Sequence, residues 1–172
     1  MKQLWAPWRM SYISGQDKGG ADGCIFCLPE SVDADRERLV LFRGRYAYVI
    51  MNKYPYSNGH LMIAPFQHTA DLASLGNGEA LDMHRLTILA RDVLSDCFAP
   101  QGFNVGMNWG GVAGAGVRDH LHQHIVPRWQ GDTNFMPVFG DVRVIPQHLE
   151  ETYELLTAGF GKLAGQYSPP EG

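Results

Sequence analysis

No stretch of this 172-residue chain approaches the roughly 18 consecutive apolar residues of a membrane span, so no transmembrane helix is expected. Positive charge is in short supply too. Fourteen Lys and Arg stand against 18 Asp and Glu, a net charge of −4, and the broad basic footprint of a duplex nucleic-acid binder is missing. A nucleotide could still be held in a local pocket. Cysteine occurs three times, an odd number that with its one CxxC pair suits metal binding or redox work better than a disulfide framework. The opening residues Met1–Trp8 interrupt with Trp5, Pro7 and Trp8 the apolar core that a secretory signal needs, so the cytoplasm is the expected address. There is no internal repeat and no low-complexity block. With 45% hydrophobic and 19% charged residues, the chain has the composition of one ordinary globular domain with terminal segments.

Histidine is also sparse, seven in all, yet three of the seven fall at alternate positions in His120-Leu121-His122-Gln123-His124-Ile125-Val126. In an extended strand, residues two apart share a face. His120, His122 and His124 therefore converge on one side, while Leu121, Gln123 and Ile125 face the other. Imidazoles so gathered can act as nucleophile, proton shuttle, metal ligand or hydrogen-bond donor near neutral pH. The competing explanation is a surface strand with chance histidines.

The rest of the chain reads as strands around one long helix. Leu39–Phe42 and Tyr46–Met51 are expected strands around the turn Arg43-Gly44-Arg45. Asn52–Gly59 carries turn chemistry (Pro55, Asn58, Gly59), and His60–Pro65 is a third strand. Gly78–Phe98 is the strongest helix, with Met83, Leu86, Leu89, Ala90, Val93 and Cys97 at three- and four-residue steps, Asn77 as its N-cap and Pro100 as its stop. Gly102–Trp109 is a further strand, and Gln147–Leu163 a C-terminal helix. The loop Gly110–Gly116 holds four glycines in seven residues, so it is either a flexible connection or a phosphate cradle. Strands before and after a single long helix predict an α+β fold with a mostly antiparallel sheet. Residues 1–23 form an expected N-terminal arm, packing its tryptophans on a domain at 24–129, with 130–172 an extension packed on the same domain.

Cys24-Ile25-Phe26-Cys27 offers two thiols at a spacing suited to tetrahedral zinc, although the pair alone is also compatible with reduced, unmetallated cysteines. His68, just after the third strand, is the natural third ligand. Cys97 sits on the apolar side of its helix as an inert thiol, and His84 and His148 fall in helical stretches as surface residues.

His120–Val126 resembles the histidine-triad motif, His-φ-His-φ-His-φ-φ, of the HIT superfamily, with Gln123 departing from the usual apolar residue. Asn52 and His60, in Asn-Lys-Tyr-Pro-Tyr-Ser-Asn-Gly-His, are similar to the family's strand–turn–strand segment. The likeness runs over about residues 24–129. Leu4–Met10, Gly102–Gly106 and the stretch from Pro127-Arg128-Trp129 through Val144-Ile145-Pro146-Gln147 further resemble the bacterial branch that contains diadenosine tetraphosphate phosphorylases.

The resemblance implies a HIT-like fold and nucleotidyl transfer at an α-phosphorus. His122 would be the nucleophile, His124 a donor to the phosphate oxygens and His60 a support from the neighbouring strand. Asn52 would bind ribose hydroxyls, its plainer reading being a turn-entry Asn. Asn108 would lie near the phosphates, one residue further from the triad than in the best-known branches. Gly116 falls where some relatives carry a side chain that assists the leaving group. Phe26 and Ile50 match positions lining the base pocket, and equally suit plain core residues. The resemblance also completes a Cys24, Cys27, His68, His120 zinc site, structural rather than catalytic, and implies a homodimer acting on an adenine nucleotide. Cleavage of a dinucleoside polyphosphate by phosphate or water is the leading expectation. A nucleoside phosphoramidate hydrolase and a non-catalytic nucleotide-binding sensor are the alternatives.

Overall fold

Each central strand alternates side chains between two apolar environments, and this places the sheet between two packed layers. In the computed structural model, which describes residues 23–132 and 148–171, the strands are β1 (Val40–Arg43), β2 (Ala47–Met51), β3 (Leu61–Pro65), β4 (Gly102–Met107) and β5 (Gln123–Arg128). The helices are α1 (Asn77–Phe98) and α2 (Leu149–Leu163). The five strands form one sheet in the order β1-β2-β3-β5-β4, and every neighbouring pair is antiparallel. The fold is α+β, as the sequence leads one to expect. The expected arm at 1–23 and the motif at Val144–Gln147 lie outside the described residues, apart from Gly23.

Ala47, Val49 and Met51 of β2, Leu61 and Ile63 of β3 and Ile125 of β5 point to one face. There they meet Met83, Leu86, Ala90, Val93 and Leu94 of α1, and Tyr153, Leu156 and Phe160 of α2. The two helices approach closely where α2 has no side chain: a Cβ on Gly159 would lie 2.9 Å from Val93 and 3.0 Å from the Cys97 sulfur. Cys97 is half-buried at the margin of this layer rather than deep inside it. On the other face Tyr48, Ile50, Met62 and Ala64 gather with Val40 and Phe26 into a smaller cluster, with Cys24 and Val117 at its edge. The chemistry-bearing residues lie on this second face.

Polar groups fix how the chain enters and leaves the sheet. Asp82 of α1 is fully buried, and its carboxylate accepts the backbone N–H groups of Tyr46 (2.6 Å) and Ala47 (3.0 Å) at the start of β2. Tyr167, beyond α2, donates its hydroxyl to the same carboxylate and accepts the Arg45 N–H at 2.9 Å. The start of α1 differs by one residue from expectation. Gly76, not Asn77, is the N-cap, because the Glu79 carboxylate reaches back to the Gly76 N–H at 2.7 Å. The helix ends at Ala99 in the left-handed conformation, φ 46°, just before Pro100.

Candidate active site

The triad segment is less of a strand than its alternation predicts. Ladder pairing with β3 stops at Gln123 opposite Ile63, so only His124 lies within β5, and His120 and His122 precede it. The physical reason is Pro65, which ends β3 and has no N–H to continue the ladder. Instead the His120 ring donates from Nε2 to the Pro65 carbonyl at 2.9 Å, and the Leu121 N–H bonds the Thr69 carbonyl at 2.7 Å. The alternation of faces survives. Gln123 turns to the helical side and donates to the Thr87 hydroxyl of α1 at 2.7 Å. A polar residue at this position is thus satisfied by α1.

The hydrogen bonds settle which nitrogen of each neutral imidazole carries the proton. A backbone carbonyl only accepts, so His122 Nδ1–H donates to the His120 carbonyl at 2.9 Å and Nε2 keeps its lone pair. A backbone N–H only donates, so the Tyr56 N–H, 3.1 Å from His60 Nδ1, puts the proton of that ring on Nε2. The Asn52 amide nitrogen, 3.3 Å away, donates to the same Nδ1. His60 Nε2–H in turn meets His124 Nδ1 at 2.9 Å, which leaves the His124 proton on Nε2. One ring therefore presents a lone pair and its neighbour, 5.0 Å away between ring centres, carries an N–H donor.

Burial supports the same division. His60 and His122 are buried, His60 being 1% exposed and His122 5%. Desolvation pushes the His122 pKa below its ordinary value, more strongly than the His120 carbonyl raises it, which keeps the ring neutral near pH 7. Phe26 stacks on His122 with ring centres 4.6 Å apart and planes at 26°. Phe26 is itself 1% exposed, so one face of the imidazole rests on a buried ring. Ile50 is buried beside it in the second-face cluster. Tyr56 lies against His60 at 4.6 Å between ring centres.

Asn52 stands at the entrance of the β2–β3 turn, its Oδ1 accepting the Tyr54 N–H at 2.9 Å while its amide reaches His60. Gly59, at φ +71° with Leu94 and Phe98 within 3.2 Å of any added Cβ, lets the turn deliver His60 to the sheet. Asn108 follows β4, and its amide spans the glycine loop to the Gly114 carbonyl at 3.5 Å. Gly110 and Gly114 take positive φ, 87° and 91°. Gly116 lies in an exposed bend of the same loop. His84 and His148 are exposed, outside the cluster.

A second constellation adjoins the first. The side-chain ligand atoms of Cys24, Cys27, His68 and His120 all lie within 4.8 Å of one another. Cys24 Sγ is 3.5 Å and Cys27 Sγ 3.9 Å from His120 Nδ1, and Cys27 Sγ is 3.2 Å from His68 Nδ1. Ligand atoms around a tetrahedral zinc ion stand about 3.3–3.8 Å apart, close to the separations of these sulfur and nitrogen atoms. The Pro65 bond holds the His120 proton on Nε2 and leaves Nδ1 turned to the sulfurs. Burial lowers the His120 pKa against the opposing pull of the Pro65 carbonyl, with His68 and His122 nearby lowering it further, and the ring stays neutral as a ligand must be. The cluster can hold a metal ion. Sequence reasoning did not find Asp82, Thr87 or the stacked role of Phe26. No motif marks the first two, which become legible only when α1 is laid on the sheet.

The HIT domain family matches residues 34–131. The chain is 36% identical over 167 residues to the AP-4-A phosphorylase of Mycobacterium tuberculosis, covering 94% of this chain and 86% of that protein. Over a shorter stretch of 92 residues, 53% of this chain and 44% of the other, it is 30% identical to the bis(5'-adenosyl)-triphosphatase of Saccharomyces cerevisiae. A zinc-bound histidine triad family protein from Mycobacterium smegmatis shares the fold with a TM-score of 0.62 at 24% identity, over 86% of this chain and 99% of that one. The chain belongs to the HIT family.

Proposed function

We propose that this HIT-family chain is an enzyme that cleaves dinucleoside polyphosphates, diadenosine tetraphosphate foremost, through a covalent nucleotide on His122. The observation that carries the reading is the proton order of the imidazoles: a lone pair on His122 Nε2 beside an N–H on His124 Nε2. Likeness to the two named enzymes supports the substrate class. In the first step the Nε2 lone pair of His122 forms a bond to the α-phosphorus, and the bond from phosphorus to the bridging oxygen breaks. The leaving nucleoside triphosphate takes that electron pair. His124 donates to the equatorial oxygens as charge builds on them, and the His120 carbonyl steadies the cationic ring that results. In the second step an acceptor oxygen attacks phosphorus and the electron pair of the P–N bond returns to Nε2. Phosphate as acceptor yields ADP plus ATP, and water yields AMP plus ATP. Asn52 binds the ribose, Asn108 and the glycine loop with Gly116 lie along the phosphates, and Phe26 and Ile50 border the apolar side of the base.

Cys24, Cys27, His68 and His120 would hold zinc in a closed four-ligand site with no open position, where it supplies cross-linking rather than Lewis-acid chemistry. The unit in solution would be a homodimer joined at the sheet edge, since β4 is an edge strand and Val105 on it is 50% exposed. Incubation with diadenosine tetraphosphate, with and without inorganic phosphate, tests the reading. Turnover to ADP and ATP, or to AMP and ATP, is expected. Nucleotide binding without turnover would replace the enzyme with a sensor.

A further inference from the structure

We infer that Arg118, laid across the glycine loop, forms the subsite for the phosphate group on the far side of phosphorus from His122, and that it favours phosphate over water as acceptor. This rests on the double-displacement reading above. Nearly every cation of the described residues has a partner. Arg43 pairs with Asp35, Arg128 with Asp132, Arg36 with Glu154, Arg91 with Asp92 and Lys162 with Asp96. Three other arginines donate to backbone carbonyls, and Lys53 lies over the Tyr54 ring. Among the described residues Arg118 alone has no hydrogen bond, ion pair or ring contact, not even with the adjacent Asp119.

Its position gives that charge a use. Val117, the preceding residue, is packed on the second-face cluster that includes Phe26, the ring stacked on His122. His120 follows two residues later. The guanidinium folds back over the loop: a Cβ on Gly111 would meet Arg118 Nε at 2.9 Å and Cζ at 3.2 Å, so the glycine makes room for it. Arg118 thus lies on the loop that joins Asn108 to the nucleophile segment, its five N–H donors unspent. A planar guanidinium is the side chain best matched to a pair of phosphate oxygens.

In a two-step in-line displacement the leaving oxygen and the incoming acceptor oxygen occupy one position, opposite the attacking imidazole. A cation that steadies the departing polyphosphate is then in place to hold inorganic phosphate for the return step. An oxygen of that phosphate bonds to the α-phosphorus, the P–N bond to His122 breaks, and the nucleoside diphosphate leaves with the new bridge. Water has no charge for the guanidinium to select.

The test uses the full chain with diadenosine tetraphosphate over a series of phosphate concentrations, reading the ratio of ADP to AMP. Arg118→Met is expected to raise the phosphate concentration needed for half-maximal ADP formation about tenfold or more. Arg118→Lys should restore part of it, and Gly111→Ala should act in the same direction as Arg118→Met by displacing the guanidinium. An ADP-to-AMP ratio unchanged in Arg118→Met overturns the inference. A second readout does not need turnover: the Arg118 side-chain Nε resonance followed by NMR during separate titrations with inorganic phosphate and with ATP. Both are expected to shift it. If the wild-type chain cleaves nothing, the proposed function fails, and a resonance that also stays still would overturn the subsite.

Discussion

A histidine that serves as a nucleophile must be neutral and must aim its lone pair outward, and two separate contacts meet these needs at His122. Burial lowers its pKa, and the carbonyl of His120 takes the Nδ1 proton. The complementary donor on His124 depends on a longer chain through His60 to the backbone of Tyr56. His60→Ala removes the middle of that chain and frees His124 to adopt the other tautomer. The expected result is a fall in kcat of about 10²–10³, equivalent to losing one oriented oxyanion donor, with KM changed less than tenfold. Steady-state kinetics checks it, and a purely structural role for His60 would instead show as lost solubility or a lowered Tm with kcat retained.

At the scale of elements, what aims the histidines is the way strands start and stop. Gly59 turns the chain into β3 at φ +71°, one residue before His60. Gly59→Ala should cost about 2 kcal/mol through the left-handed conformation and the clash with Leu94 and Phe98, seen as a lower denaturation midpoint. Asp82 holds the other end of β2. Asp82→Ala leaves the Tyr46 and Ala47 N–H groups without their acceptor and should cost about 2–4 kcal/mol by the same measurement. Its partner Tyr167 gives a pH signature. Burial first, and the hydrogen bond to Asp82 second, push the Tyr167 pKa up to about 12 from 10.0. A raised folded-state pKa means the contribution is whole below about pH 10 and is lost as pH rises through about 12. Thermal melts across that window should show a steeper alkaline loss for the wild type than for Tyr167→Phe.

Much of this was legible in the sequence, and all but one of the misses share a cause. Alternation in the triad segment and the 3.6-residue period of α1 reported faces correctly, down to Gln123 turning away from the histidines. Boundaries set by long-range partners were not legible. One miss is local instead: Asn77 has the ordinary chemistry of an N-cap, yet Glu79, three residues beyond Gly76, reaches back to that residue's N–H. The triad reads as one strand, yet Pro65, some 55 residues earlier, ends the ladder at Gln123 and diverts His120 to its carbonyl. Asp82 looks like one more charged residue on a helix, because nothing local reveals that two strand amides and a C-terminal tyrosine converge on it.

For the molecule as a whole, the two constellations divide the labour of the second sheet face. The Cys24, Cys27, His68 and His120 cluster gathers the segment before β1, the segment after β3 and the approach to β5 at one point. Zinc there would fix the main chain from which His122 takes its hydrogen bond. Elemental analysis of the purified chain is expected to give one zinc per chain, falling to near zero in a Cys24→Ser, Cys27→Ser double variant with a lowered Tm. Less than a tenth of an equivalent in the gently handled wild type would discard the site. No described helix is long and apolar enough to cross a membrane. The helices instead cover the first face, and the second carries the smaller apolar cluster beside the histidines.

The central claim is a covalent nucleotide on His122, and rapid quenching of a single turnover addresses it most directly. Wild-type chain mixed with a stoichiometric amount of diadenosine tetraphosphate, without added phosphate, is quenched in alkali and its intact mass and peptides are measured. One adenylyl group per chain, located on His122 and absent from His122→Ala, is the expected result. Turnover with no trapped adduct, an adduct on another residue, or full activity in His122→Ala would contradict it.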